Sequence, residues 1–567
     1  MSPTHPTSSI SLSDLSQQQL ALQKIVDAHR DWFMTADRRT PLNINRADFE
    51  FSVEHNRLIF SCWTEAGSRT WRVTKWNWSD DKLLLHVSRC MGAEIAAIEL
   101  VPRASAKAIV ASIAAARQER CERLAQIVAH YLGVGHRVSG VEDRALRKTR
   151  NERRDEKRRG SSVVKADLLE IRTDLHPSPD TLHPLAKIER ATLSPGMRRD
   201  QPGRYARIIL RLPRERIAVT GSVAQSDIRN ADALFSSALL WFQRALESPK
   251  RPPIQMLLLV VEHAILEAAR QRHALLRESF RDRIELLEID DEWTELRSVS
   301  RFERKHLWRK RLSRFPPVNQ SELSPRADEI LAYAPHAIDV VASRHGQTLR
   351  FHGLPFARVR TVMNQDRIWF GIEGSRRRQL DVFHQQDWAK LFRDLETYRN
   401  ERCRDRRHWL YRASGEAWLE SMLRRDITKL DPGLIIAPLH AQFRTSHGGP
   451  TGTRPIDLLA LRHDGRLVVI ELKVTEDREH VFQGVDYWRR VEAHSRRGHI
   501  ASAKLFGNRE ISDESPLVYL VAPTLRFHPS FRTLARTIAP DIEIYRFDLN
   551  EDWRSGVRVV RRERVNG

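Results

Sequence analysis

Residues 456–474 read IDLLALRHDGRLVVIELKV, two apolar runs separated by an Asp-Gly pair at 464–465. Such a pair between two apolar runs predicts a tight β-hairpin. Because side chains alternate faces along a strand, Glu471 and Lys473 project from the same face of the second run. A turn at the Asp-Gly pair brings Asp457 close to Glu471. The sequence therefore predicts a hairpin on which two carboxylates and a lysine meet among apolar residues.

The segments around this hairpin predict the element order α-β-β-β-α-β. An amphipathic helix is expected at 414–427 and a strand at 434–445, before the two strands of the hairpin. A second helix is expected at 476–495, followed by a buried strand at 515–523. We therefore expect residues 411–567 to form an α/β domain.

The grouping of Asp457, Glu471 and Lys473 suits metal-assisted chemistry. Burying two carboxylates and a lysine is unfavourable unless something compensates their charge. Mg²⁺ can do so, because it binds one or two carboxylates together with water and phosphate oxygens, and it activates its bound water. Lys473 could orient or deprotonate that water and offset charge on a phosphate. A structural Glu-Lys pair is the alternative, and Asp457 in the hairpin partner favours an active site over it.

The stretch 416–523 resembles the PD-(D/E)XK nuclease superfamily, whose core motif is an acidic residue, a spacer and then Asp/Glu-x-Lys. The resemblance implies a restriction-endonuclease-like αβββαβ core and a nuclease that uses Mg²⁺ or Mn²⁺. It also implies that Asp457 and Glu471 are metal ligands and that Lys473 is the catalytic lysine. The backbone carbonyl of Leu472 would be a further ligand.

Two outlying positions extend the resemblance. Gln483 and Tyr487 match the Gln-x3-Tyr motif of RecB-like nucleases, and their spacing places them on one helical face. We expect Gln483 to act in catalysis and Tyr487 to contact nucleic acid. Glu420 in the first helix is the expected additional metal ligand, with Glu416 as the alternative. Pro455 lies two residues before the acidic residue, which departs from the family pattern, and NucS-like and Holliday-junction-resolvase-like variants stay open.

The charge of the chain points to a polyanionic partner. Lys and Arg number 95 against 73 Asp and Glu, which gives a net charge of +22. A field of this sign attracts nucleic acid, and we expect DNA rather than RNA. The basic run 144–159 is either a phosphate-contacting element or a solvated linker. Within it, the expected nucleic-acid-binding residues are Arg153, Arg154, Arg158 and Arg159.

The length of 567 residues predicts several domains. The N-terminal two-thirds is expected to be mixed α+β, and it resembles no fold that we recognise. In the middle region a single long helix is expected at 254–280. The five predicted regions are an α+β domain at 1–140, a basic linker at 141–203, a mostly helical domain at 204–325, a small β-rich domain with a basic helix at 326–410, and the nuclease domain at 411–567.

Other sequence features restrict the cellular setting. No apolar run is long enough to span a bilayer, and the N-terminus lacks the pattern of a secretory signal. The four cysteines form no close pairs, which argues against a disulfide scaffold or a zinc site. We therefore expect a cytoplasmic deoxyribonuclease in DNA repair, restriction or defence. An RNA nuclease, and a non-catalytic nucleic-acid-binding protein that retains the nuclease fold, are the alternatives. The sequence predicts neither an endonucleolytic or exonucleolytic mode nor an oligomeric state.

Overall fold

The structure is a computed structural model of the chain, and it divides into two compact units. The first comprises residues 1–120 and 193–204, and the second comprises residues 121–192 and 205–567. The residues that the structure describes are 12–36, 42–46, 49–54, 57–64, 67–79, 81–89, 95–133, 186–196, 203–224, 231–309, 312, 323–343, 346–362, 365–372, 378–443 and 456–567.

The first unit is built on a seven-stranded sheet with strand order β2-β1-β7-β6-β5-β4-β3. Its core is rich in aromatic residues, with Trp32, Phe49 and Phe60 fully buried. Its elements are α1 (Leu12–Asp27), β1 (Asp31–Ala36), β2 (Leu42–Asn45), β3 (Phe49–Glu54), β4 (Arg57–Thr64), β5 (Gly67–Ser79), β6 (Lys82–Arg89) and β7 (Ile95–Pro102). The next helix, α2 (Lys107–Gly133), has residues in both units.

The middle of the chain contains a six-stranded sheet with strand order β13-β12-β11-β10-β9-β8. Its elements are β8 (Lys187–Leu193), β9 (Ala206–Arg211), β10 (Arg216–Gly221), α3 (Ala231–Leu246), β11 (Ile254–Glu262), α4 (His263–Ala274), α5 (Glu278–Arg281), β12 (Ile284–Ile289) and β13 (Leu296–Ser298).

This sheet corrects two predictions. The domain expected to be mostly helical is a sheet with helices, and the first part of the expected long helix is the strand β11. This strand pairs in parallel with β10 and β12, so it is buried on both faces. Its apolar run lacks the alternation that would separate a strand from a helix. The expected linker at 141–203 includes β8, a largely exposed edge strand that also lacks apolar alternation.

A five-stranded antiparallel sheet follows, with strand order β14-β15-β16-β17-β18. Its helices α6 and α7 pack on it through a common apolar core. The elements of this region are α6 (Pro325–Tyr333), β14 (Ile338–Ser343), β15 (Gly346–Phe351), β16 (Leu354–Val362), β17 (Gln365–Phe370), β18 (Arg378–Gln379), α7 (Gln385–Tyr398) and α8 (Trp409–Arg412).

The C-terminal region forms a six-stranded mixed sheet with strand order β19-β20-β21-β22-β23-β24. The expected succession of a helix, three strands, a helix and a strand is present, and further elements follow it. The elements are α9 (Gly415–Arg425), β19 (Leu434–Phe443), β20 (Ile456–Arg462), β21 (Leu467–Leu472), α10 (His480–Ser495), α11 (His499–Ser502), β22 (Leu517–Pro523), α12 (Phe531–Ala535), β23 (Ile544–Leu549) and β24 (Val559–Arg564).

The middle and C-terminal sheets share one pairing pattern. In each, the second and third strands are antiparallel, the third, fourth and fifth are parallel, and the sixth is antiparallel to the fifth. In each, a helix connects the third strand to the fourth, and another connects the fourth to the fifth. One apolar core joins the two sheets, and Phe235 of α3 contacts Phe482 of α10 within it.

Candidate active site

The site is built on the hairpin of β20 and β21, which are paired antiparallel with Leu458 opposite Ile470. Gly465 in the turn has a φ of +82°, a conformation that glycine adopts without strain. One further step in the register places Asp457 opposite Glu471. The Asp457 carboxylate accepts a hydrogen bond of 2.8 Å from the backbone N–H of Leu472, so the hairpin itself positions this side chain.

Glu471 and Lys473 lie on one face of the strand, as the alternation predicts. Lys473 Nζ donates to Glu471 Oε1 at 2.9 Å. Both side chains are buried, with 2% and 7% of their residue surfaces exposed. Lys473 Nζ also lies 3.7 Å from Asp477 and 4.0 Å from Glu416. The ammonium is therefore surrounded by three carboxylates.

The electrostatics of these groups follow from burial and proximity. Burial raises the pKa of Asp457 well above its ordinary value, and the neighbouring Glu471 carboxylate raises it further. Burial also raises the pKa of Glu471, although Lys473 opposes the effect. Burial alone would lower the pKa of Lys473, but Glu471, Glu416 and Asp457 raise it overall. At neutral pH the lysine therefore keeps its proton, and it only partly offsets the repulsion between the two carboxyl groups.

Helix α10 supplies the next side chains. Gln483 is buried, and its Nε2 donates to Asp477 at 3.3 Å. Tyr487 is only 4% exposed and packs with Val469 and Val491 in an apolar cluster. The ring of Tyr487 is thus part of the core, and its expected contact with nucleic acid stays a prediction. Burial and the nearby carboxylates of the site raise the pKa of its hydroxyl.

Helix α9 brings two glutamates towards the site in different ways. Glu416 is half-exposed and forms the 4.0 Å contact with Lys473. Glu420 is buried and pairs with Arg350 of β15 at 3.3 Å. Burial raises the pKa of Glu420 to about 7, Arg350 opposes the rise, and Asp457 adds to it. Glu420, the expected metal ligand, is thus held by an arginine, whereas Glu416, the alternative, contacts the catalytic lysine candidate.

The donor atoms fit a hard cation bound through few protein ligands. Oε2 of Glu471 and Oε1 of Gln483 are buried and accept no hydrogen bond from the residues that the structure describes. Asp457 and Glu471, two carboxyl groups with raised pKa values, lie opposite each other. Mg²⁺ would neutralise the negative charge of this pair. Within the described part of the chain, no group of three or more His, Cys, Asp or Glu side chains is arranged to hold a metal ion. A cation at this site would therefore complete its shell with water and phosphate oxygens.

Three residues of the site escaped sequence reasoning. Asp477 contacts both Lys473 and Gln483, and its place four residues after the lysine could have drawn attention to it. His480 lies 3.3 Å from the Glu471 carbonyl, and burial lowers its pKa to about 3. Arg350 lies 70 residues before Glu420, on strand β15 of the five-stranded sheet. No local sequence pattern predicts a contact between residues so far apart.

The basic run with Arg153, Arg154, Arg158 and Arg159 lies outside the described residues. No helix among the residues that the structure describes is long and apolar enough to cross a membrane. No protein-family model, curated protein or solved structure matches the chain.

Proposed function

We propose that the protein is a metal-dependent nuclease of the PD-(D/E)XK type that hydrolyses phosphodiester bonds at the β20–β21 hairpin. One observation carries the proposal. Asp457 stands opposite Glu471, and Lys473 shares the face and a 2.9 Å contact with Glu471, on strands that are otherwise apolar. Burying these charges is costly, and such cost is typical of sites kept for chemistry.

The residues would divide the chemistry as follows. When bound, Mg²⁺ or Mn²⁺ would polarise the scissile phosphate and lower the pKa of an attacking water. Asp457 and Glu471 would hold the cation. Lys473 stays protonated, so it would stabilise charge on the phosphate and orient water by donating hydrogen bonds, rather than act as a base. Gln483, whose Oε1 accepts no hydrogen bond from the described part of the chain, would orient a water molecule.

The substrate class follows from charge. The net charge of +22 favours binding of a polyanionic substrate, and we propose that this substrate is DNA. Repair, restriction and defence are all compatible with a nuclease of this kind. The competing function is nucleic-acid binding without cleavage, and the presence of all three core residues speaks against it.

The proposal is tested with purified full-length protein and a panel of supercoiled, linear, branched and single-stranded DNA and of RNA. Each is incubated with Mg²⁺, with Mn²⁺ and with EDTA. We expect metal-dependent cleavage of DNA by the wild type and none by Glu471→Gln. Cleavage of RNA alone would transfer the activity to the alternative substrate. Binding of the panel without any cleavage would favour the non-catalytic function.

A further inference from the structure

The middle and C-terminal sheets share one strand-pairing pattern, and they also contact each other through corresponding segments. The segments after α4 and α12 form an antiparallel bridge between Leu276 and Ile538. Arg277 N–H donates to the Thr537 carbonyl, and Ala539 N–H donates to the Leu275 carbonyl. Corresponding segments of the two sheets thus meet reciprocally, as in a two-fold pair within one chain. Each position of the β20–β21 hairpin therefore has a counterpart on the β9–β10 hairpin.

The counterparts can be read from the strand registers. The β9–β10 hairpin closes with Arg211 opposite Arg216, and the β20–β21 hairpin closes with Leu461 opposite Leu467. Four steps further along each hairpin, Arg207 faces Thr220 where Asp457 faces Glu471. Ser222 then stands at the counterpart of Lys473. The two metal-binding carboxylates are thus replaced by an arginine and a threonine.

The replacement inverts the charge of the site. Arg207 is half-buried, and its Nε–H donates no hydrogen bond to any residue that the structure describes. Burial lowers its pKa, and nearby Arg244, Arg190 and Arg478 lower it further. These three neighbours are exposed to solvent. In the part of the chain that the structure describes, none of the four guanidinium groups is paired with a carboxylate.

The arginine cluster of Arg190, Arg207, Arg244 and Arg478 is connected to the candidate active site. Arg478 follows Asp477, which contacts Lys473 at 3.7 Å and Gln483 at 3.3 Å. The segment that borders the lysine therefore also borders the cluster.

We propose that the arginine cluster binds the phosphodiester backbone of the nucleic acid whose neighbouring segment lies at the Lys473 site. The middle sheet would thus be a non-catalytic counterpart of the nuclease domain that holds substrate. Guanidinium groups suit this role because they bind phosphate oxygens in a bidentate manner and keep their charge. The inference rests on the proposed function for the identity of the bound polymer, but the binding itself can be measured without cleavage.

The test measures binding of a fluorescent DNA duplex to full-length protein in EDTA across a series of salt concentrations. The test variant is Arg207→Gln/Arg244→Gln. The control Arg283→Gln/Arg297→Gln removes the same charge from two exposed positions, one just before β12 and one on the edge strand β13. We expect the test variant to reduce the slope of log affinity against log salt by roughly 2, about 0.9 for each lost phosphate contact. The control slope should stay near that of the wild type.

A lysine variant guards against a folding artefact. Arg207→Lys/Arg244→Lys keeps both charges, so it should retain most of the wild-type slope, and thermal unfolding should show that all variants fold. Equal slopes for the test and control variants, or no duplex binding by the wild type, would overturn the proposal. Loss of slope in a protein that never cleaves would support the cluster and remove the nuclease assignment. Cleavage by the wild type with an unchanged slope in the test variant would support the nuclease assignment and overturn the role of the arginine cluster.

Discussion

At the scale of single residues, Asp457 shows how the site stores unfavourable charge. It faces Glu471 across the hairpin, and burial and that carboxylate both raise its pKa. Lys473 offsets only part of this repulsion, because it bonds to Glu471. The carboxylate pair therefore lowers the stability of the metal-free protein. Binding of a cation would remove this repulsion and stabilise the fold.

This predicts that Asp457→Asn stabilises the metal-free protein while removing cleavage. An asparagine oxygen can still accept the Leu472 N–H, and the repulsion with Glu471 disappears. Near pH 8 the free energy of unfolding should rise by roughly 1 kcal/mol or more, since each unit of raised pKa corresponds to about 1.4 kcal/mol. Urea denaturation with and without Mg²⁺ measures this. Mg²⁺ should stabilise the wild type and leave the variant unchanged, and a destabilised Asp457→Asn would show that the pair is structural.

At the scale of secondary-structure elements, Arg399 ties the small β-rich sheet to the C-terminal domain. Its guanidinium is fully buried at the end of α7. It donates to the carbonyls of Phe351, Leu410, Ala413 and His352 at 2.7–2.9 Å. These carbonyls belong to the end of β15 and to the segment that leads into α9. One side chain therefore fixes where the helix that carries the two candidate glutamates begins.

Arg399→Lys should destabilise the protein strongly, because a lysine cannot serve all these acceptors in one plane. Each buried carbonyl left without a donor costs about 1–3 kcal/mol, so we expect a loss of at least about 2 kcal/mol in the free energy of unfolding. Chemical denaturation measures the change. Arg402→Lys, at a side chain that is 91% exposed, is the matched control. Equal stability of the two variants would contradict this role for Arg399.

Elements also show what the sequence can and cannot predict. The β20–β21 hairpin is predictable because an Asp-Gly pair between two short apolar runs is a local signal. The strand β11 was mistaken for a helix, since a strand buried on both faces has no alternation. Helical spacing places Gln483 and Tyr487 on one face of α10, but it does not reveal that the Tyr487 ring is buried. The pairing of Arg350 with Glu420 depends on the packing of two sheets, which no local pattern encodes.

At the scale of the whole molecule, the boundary drawn at residue 411 does not separate independent folding units. The core that joins the middle and C-terminal sheets includes residues of both, such as Leu276 and Trp488. Arg272 of α4 crosses this core and pairs at 2.8 Å with Asp232 of α3 and with Asp486 of α10. Helix α10, which carries Gln483 of the candidate active site, is therefore held in place by contacts with the middle region.

Arg272→Met should destabilise the protein, because it leaves Asp232 without its partner and weakens the partner set of the buried Asp486. Arg489 and Arg490 still pair with Asp486, which limits the loss. Removing one partner of a buried ion pair costs about 3–5 kcal/mol, and thermal and urea unfolding measure it. Arg283→Met, at an exposed arginine near β12, is the control. If Arg272→Met unfolds like the control, the two regions are not coupled through this residue.

The central claim is that Asp457, Glu471 and Lys473 form a catalytic centre, and the single-turnover rate of Lys473→Ala tests it most directly. The rate of DNA cleavage in Mg²⁺ is compared with that of the wild type and of Lys429→Ala, an exposed lysine of the same domain. Loss of a charged donor at a developing negative charge predicts a decrease of about 10²–10³-fold for Lys473→Ala. Lys429→Ala should cleave like the wild type. Undiminished cleavage by a folded Lys473→Ala would contradict the account.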